Sequence, residues 1–205
     1  MKFSAEPSSV RFRASIAVAL AAGLCTSCSS FSSTPDQPQV VKAEKPFASA
    51  GSIEMQLDGG NYLIRPAADD RIRVSFGGNS GNATAELTAD GTHARLAVKD
   101  TPHDRFQAVV EVPKAEDLVI RLTGGNLEMA AITGNKDIES QAGNAEIAVG
   151  NSNDYASVDA GVKVGNLSAG PFGDAAGGLS PHLTWSGHGK YTFRARLGAG
   201  NLELK

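Results

Sequence analysis

The dipeptide Gly-Asn occurs at 125–126, 134–135 and 143–144, within TGGNLEMAAITGNKDIESQAGN, at a constant step of nine residues. Glycine enters positive φ without steric cost. Asparagine is the non-glycine residue that best tolerates the left-handed region, because its short amide bonds locally. Each pair therefore predicts a sharp bend. Between the bends stand Leu127 and Met129, then Ala145, Ile147 and Val149, the alternation of short half-buried strands. The pairs Gly125-Asn126, Gly143-Asn144 and Gly165-Asn166 lie 18 and 22 residues apart, and Gly200-Asn201 closes the chain on the same pattern. A strand-and-corner period near 20 residues predicts a β-solenoid, whose coils bury their apolar faces by stacking. Stacked corners would set asparagine over asparagine, with amides bonding along the stack. The spacing also fits an antiparallel β-sandwich or prism with Gly-first hairpin turns.

Helical periodicity is almost absent after residue 47. Strand-length segments occur at 52–57, 61–66, 71–76, 83–89, 93–99, 106–113 and 118–123, separated by Gly, Asn and Asp. The fold class is all-β. The segment 171–190 interrupts the pattern and holds the single tryptophan, Trp185. A loop laying Phe172, Leu179 and Trp185 over the end of the stack would provide the cap that a solenoid needs.

The N-terminus sets the address. Lys2, Arg11 and Arg13 precede an 11-residue apolar run, Ala14 to Leu24. That run is too short to span a membrane, which takes about 20 apolar residues, and it matches a secretory leader. Of the two cysteines, Cys25 follows bulky Leu24, whereas Cys28 follows Thr26-Ser27 and fits a lipidation site. Residues 1–27 then form a lipoprotein-type signal peptide. Residues 28–46, rich in Ser, Pro and charge, form a flexible tether. Residues 47–205 form one domain. Removing the leader leaves 16 Lys+Arg against 21 Asp+Glu, a net charge of −5 in place of −3. A weakly acidic chain does not carry the basic footprint of nucleic-acid binding.

The run HDRFQAVVEVPKAEDLVIRLTGGNLEM resembles a widespread bacterial family of unknown function labelled putative adhesin. The matching pieces are Val112-Pro113, then Leu118-Val119-Ile120, then G-N-[LA] corners at Gly125, Gly143, Gly165 and Gly200. The resemblance covers about residues 50–205. It implies a right-handed β-solenoid of toast-rack type and supplies no catalytic residues. The family favours Gly-Asp at these corners, and asparagine here argues against an acidic metal ladder.

Chemistry is sparse in the sequence. His93, His103, His182 and His188 lack zinc-helix spacing, and His182 and His188, which flank Trp185, read as solvated loop residues. GGNSGN at 77–82 lacks the Lys-Ser/Thr and the helix of a phosphate loop. No serine sits in a nucleophile elbow. Glu128, Glu139, Glu146 and Asp159 are the acids placed to line one solenoid face. Glu128 and Glu146 lie 18 residues apart, so one coil would stack them about 4.8 Å from each other. A glycosidase needs two carboxylates about 5–10 Å apart, but an exposed stacked pair reads better as a surface row. No metal, cofactor or catalytic group is expected. The sequence points to a non-catalytic cell-envelope protein, anchored through a lipid on Cys28. It would offer a rigid adhesive or structural β surface to a protein or glycan. A periplasmic sensing or regulatory module and a carbohydrate-active enzyme are the alternatives.

Overall fold

The computed structural model describes residues 39–48, 50–173 and 179–205. The proposed lipidation site Cys28 and the leader lie outside the described residues. Thirteen strands form one mixed, nearly closed, barrel-like sheet among them. They are β1 (Val40–Pro46), β2 (Ser52–Leu57), β3 (Gly60–Pro66), β4 (Arg71–Gly78), β5 (Thr84–Asp90), β6 (His93–Lys99), β7 (Phe106–Val112), β8 (Asp117–Leu122), β9 (Gly125–Met129), β10 (Lys136–Ile147), β11 (Tyr155–Ser168), β12 (His182–Ser186) and β13 (Tyr191–Leu204). The seven strands expected between 52 and 123 appear as β2 to β8.

The frame is a parallel, in-register stack. The first half of β10 pairs with β8 and its second half with β9, the two halves meeting at Gly143-Asn144. β13 lies against the other side of β10, and β11 lies against β13. β2 and β3 extend the stack beyond β8 and β9. The nine-residue beat is half of an 18-residue return, since Gly143 pairs in register with Gly125. The order in space differs from the order in sequence. Gly165 does not stack on Gly143; Gly200 stands between them, because the C-terminal strand inserts as a parallel partner to both neighbours.

Alternation fills the interior with rows of side chains, one from each rung. One row runs Leu96, Met55, Ile120, Ile138, Ala195, Ala160 and Leu183, all buried. Past the corner, Tyr62, Leu127, Ala145 and Leu202 form the next. Edge-to-face aromatic contacts close both ends. Phe106 meets Tyr62 and Phe76, while Tyr155 meets Phe172 and Phe193.

Two expectations need correction. The last seven residues of the expected tether, 40–46, form β1, an edge strand paired antiparallel with β4. Lys42, Lys45 and Pro46 made the segment look unstructured, yet charge, proline and a bulge are how an edge strand is kept from pairing further. The cap over the far end is β12, hairpinned onto β11, rather than a loop. Phe172 and Trp185 pack there with ring centroids 5.2 Å apart, but Leu179 is 95% exposed and takes no part.

Candidate functional site

The four corners named from sequence come together, and a fifth joins them. Gly60-Asn61, Gly125-Asn126, Gly143-Asn144, Gly200-Asn201 and Gly165-Asn166 stack in register. Their amides form a ladder running one way. Asn126 Nδ2 donates to Asn61 Oδ1 at 2.7 Å, Asn144 to Asn126 at 3.0 Å, Asn201 to Asn144 at 2.8 Å and Asn166 to Asn201 at 2.8 Å. Gly60-Asn61 was missed because it lies 65 residues from its partner, outside any short period. The remaining pair, Gly134-Asn135, belongs to the opposite corner. There Asn135 donates to Asp117 through its backbone N and its Nδ2, and its Oδ1 accepts from Thr192.

Each ladder bond contributes about 1 kcal/mol net. Asn144→Ala removes two of them. The expected loss is about 1–2 kcal/mol, a melting temperature lower by about 3–6 °C for a domain of this size. Asn79→Ala removes one exposed side-chain bond to Asp104 and is the comparison; an equal drop in both would show that the ladder adds nothing beyond ordinary surface bonds.

The Gly-Asn corners separate two polar outer faces. On the face beyond the corners, Glu128, Glu146 and Glu203 stand in one in-register row. Lys205 Nζ lies 2.6 Å from Glu146 and 3.8 Å from Glu203. The sequence reading named Glu128 and Glu146 but not Glu203 or Lys205, since the last strand was not expected beside β10. Glu139 and Asp159 do not share that face. They project before the corner, on the opposite sheet half, because the chain bends between Glu139 and Glu146.

That second face carries interleaved charge. Arg121 bridges Asp137 at 3.2 Å and Glu139 at 3.4 Å. Asp159 takes Arg196 on one oxygen and His182 Nε2, at 2.6 Å, on the other. Burial pulls the Asp159 carboxyl upward, but the bonds from Arg196 and His182 outweigh it and hold it below its ordinary value. His182 is therefore a strand residue with a carboxylate partner, not a solvated loop histidine. A groove of about 870 Å³ runs over this face, lined by Gln56, Arg121, Glu139, Gln141, Lys163 and Arg196 among others. No group of three or more His, Cys, Asp or Glu placed to hold a metal occurs among the described residues.

Two ionisable groups sit inside. Lys136 is 3% exposed and occupies an interior position between Leu118 and Phe193. Its Nζ reaches the backbone oxygens of Gly134 at 2.9 Å and Glu116 at 3.2 Å. Glu116 is 1% exposed; its Oε2 accepts from Gly51 N at 2.7 Å, and its Oε1 is buried without a hydrogen-bond partner. Burial pushes Glu116 up to about 7 and Lys136 down to about 8.

No family model matches the chain, and no curated protein matches it. Solved structures do. A putative cell adhesion protein from Clostridium sporogenes ATCC 15579 is similar over 82% of this chain and 100% of its own, with TM-score 0.53 and 12% identity. A putative adhesin from Parabacteroides distasonis ATCC 8503 covers 83% of this chain and 71% of its own at 11% identity, with TM-score 0.25. The first of these likenesses extends to the fold, and at such identity to the fold alone.

Proposed function

We propose that this chain is a non-catalytic module of the cell envelope that works as an adhesin-like binding surface. The observation that carries the reading is the stack of five in-register Gly-Asn corners with its continuous amide ladder. It holds polar side chains in rows fixed by the backbone register, so a partner binds without ordering this surface first. The fold shared with the putative cell adhesion protein from Clostridium sporogenes supports the same reading. In this account the parallel rungs are a short right-handed solenoid. Cys28 carries the lipid, and residues 29–38 form the spacer to β1.

Two measurements test it. A palmitate analogue should label cells expressing the wild-type chain and leave Cys28→Ala unlabelled. Cells expressing the full chain should be retained on envelope- or matrix-coated surfaces more strongly than deletion cells. Equal retention of the two would reject the adhesive reading.

A further inference from the structure

The charged groove described above is not uniform. Over most of its length the cations are already satisfied: Arg121 is held by Asp137 and Glu139, and Lys99 reaches Glu86 at 2.8 Å. The end where β11, β12 and β13 meet is different. Asp159 fixes Arg196 through Nη2 and fixes His182 through Nε2. Arg196 Nη1 is buried and has no hydrogen-bond partner. A guanidinium N–H left unpaired in that way costs free energy, which a ligand oxygen recovers once the part-exposed side chain turns Nη1 toward the groove. The residue beside it is Gly161. A Cβ there would lie 3.2 Å from Arg196 Nη1 and 3.1 Å from His182 Cδ2, so glycine is what lets the guanidinium and the imidazole lie against the strand, and a side chain would push them aside. Lys163, exposed and lining the same groove, adds a second cation two residues along the strand.

The shape of the groove selects among anionic polymers. Gln56, Arg121, Glu139 and Arg196 are register partners on β2, β8, β10 and β13, so the groove crosses the strands. From β6 to β11 it spans five strand spacings, about 24 Å. A peptide lying across strands cannot add its backbone to the sheet, which removes one of the main modes of peptide capture. A glycan in the same direction meets side-chain amides and hydroxyls, here Gln56, Thr123 and Gln141, with its own hydroxyls. Among the described residues, no phenylalanine, tyrosine or tryptophan lines the groove to stack on a sugar face, and the one imidazole, His182, is held by Asp159. Affinity must then come from hydrogen bonds and charge, which favours a sugar bearing a carboxylate. A carboxylate is one of the anions that the planar fork of an arginine matches.

We propose that the β11–β13 end of this groove is a carboxylate subsite, with Arg196 and Lys163 as its cations and Gly161 as its floor. It seats a uronic acid unit of a linear acidic polysaccharide lying across the strands. The proposal rests on the adhesin-like reading and names the chemical class of its partner.

The test titrates the full chain with polygalacturonate, read by calorimetry and by the emission of Trp185, the single tryptophan, which faces Val158 on the neighbouring strand. Fully methyl-esterified polygalacturonate keeps the backbone and removes the charge. Polyglutamate supplies carboxylates on a peptide. The acidic polysaccharide should bind about tenfold or more tightly than its ester, and Arg196→Gln should lose about the same factor. Gly161→Ala, which changes no charge and demands no positive φ, should lose binding while its melting curve stays close to wild type. The subsite is rejected if the ester binds equally, if Gly161→Ala binds as wild type, or if polyglutamate binds as well as the polysaccharide. Absent polygalacturonate binding with cell retention intact would overturn the subsite and leave the adhesive reading standing. Binding without any effect of deletion on retention would do the reverse.

Discussion

Gly143→Ala should lose a large part of the stability of the domain. Gly143 has φ +122°, a region that costs a side-chain-bearing residue about 1–2 kcal/mol. The larger effect is contact. A Cβ on Gly143 would overlap the carbonyl oxygen of Gly125, the stacked corner beneath it. The Gly200 position meets the Gly143 carbonyl in the same way, so relief in one direction closes the other. The neighbour is backbone within a ladder and cannot turn aside. The expected loss is about 4 kcal/mol or more, a large part of the 5–15 kcal/mol that holds a typical domain together. Two comparisons separate contact from conformation. Gly91 has φ +53° and open space around it, so Gly91→Ala should cost about 1 kcal/mol from strain alone. Gly170 has open space and no positive φ, and Gly170→Ala should be close to neutral. Urea midpoints for the three variants give the ranking. A Gly143→Ala midpoint no lower than that of Gly91→Ala would show that the corners do not depend on close backbone approach.

The same corners explain what was legible in the sequence. A residue type demanded by backbone geometry leaves a mark that does not depend on its surroundings. Hence the beat at 125, 134 and 143 was readable, as were the return of Gly143 onto Gly125 and the alternation within β2 to β8. Stacking order leaves no such mark. Gly165 follows Gly143 in the chain by 22 residues, yet the rung between them comes from the C-terminus. Nothing local in YTFRARLGAGNLELK says which neighbours it takes, because its alternation satisfies either side. β1 was misread for a related reason: the features that protect an edge are those that mark a linker. The interior charges were half legible. Aligning 118 with 136 sets Lys136 in a column of apolar residues, a visible conflict between residue and position. Glu116 gave no comparable sign, since Lys114-Ala115-Glu116-Asp117 reads as a polar turn. The Asp159–His182–Arg196 cluster depends on a hairpin between distant segments and was beyond any spacing argument.

Glu116 and Lys136 should give the protein an unusual stability profile, lowest near neutral pH. Glu116 titrates near 7 when folded against an ordinary 4.5. Burial is the chief cause, and Asp117 and Asp70 add to it against the bonds from Gly51 and Ala50. An acid whose folded value is raised binds more protons in the native state than in the unfolded state. Its contribution is complete below pH 4.5 and is lost as pH rises to about 7. Lys136 runs the other way. Its folded value is near 8 against 10.5, again through burial, opposed by Asp117 and Glu116. Its contribution is complete above pH 10.5 and is lost as pH falls to about 8. Each pKa unit is worth about 1.4 kcal/mol, so either arm alone amounts to about 3 kcal/mol. Between pH 7 and 8 the native state carries both penalties, reduced by the attraction between the two charges. Glu116→Gln keeps an oxygen for Gly51 N and removes the ionisation. Its absolute stability also reflects an added amide donor, so the slope is the diagnostic. Wild type should lose melting temperature steadily from pH 4.5 to 7, and Glu116→Gln should remove most of that fall. Lys136→Met should leave the acidic arm in place and flatten the rise above pH 8. A wild-type curve that is level from pH 4.5 to 7, or a Glu116→Gln curve that falls in parallel with it, would mean that the carboxyl reaches water in the folded protein.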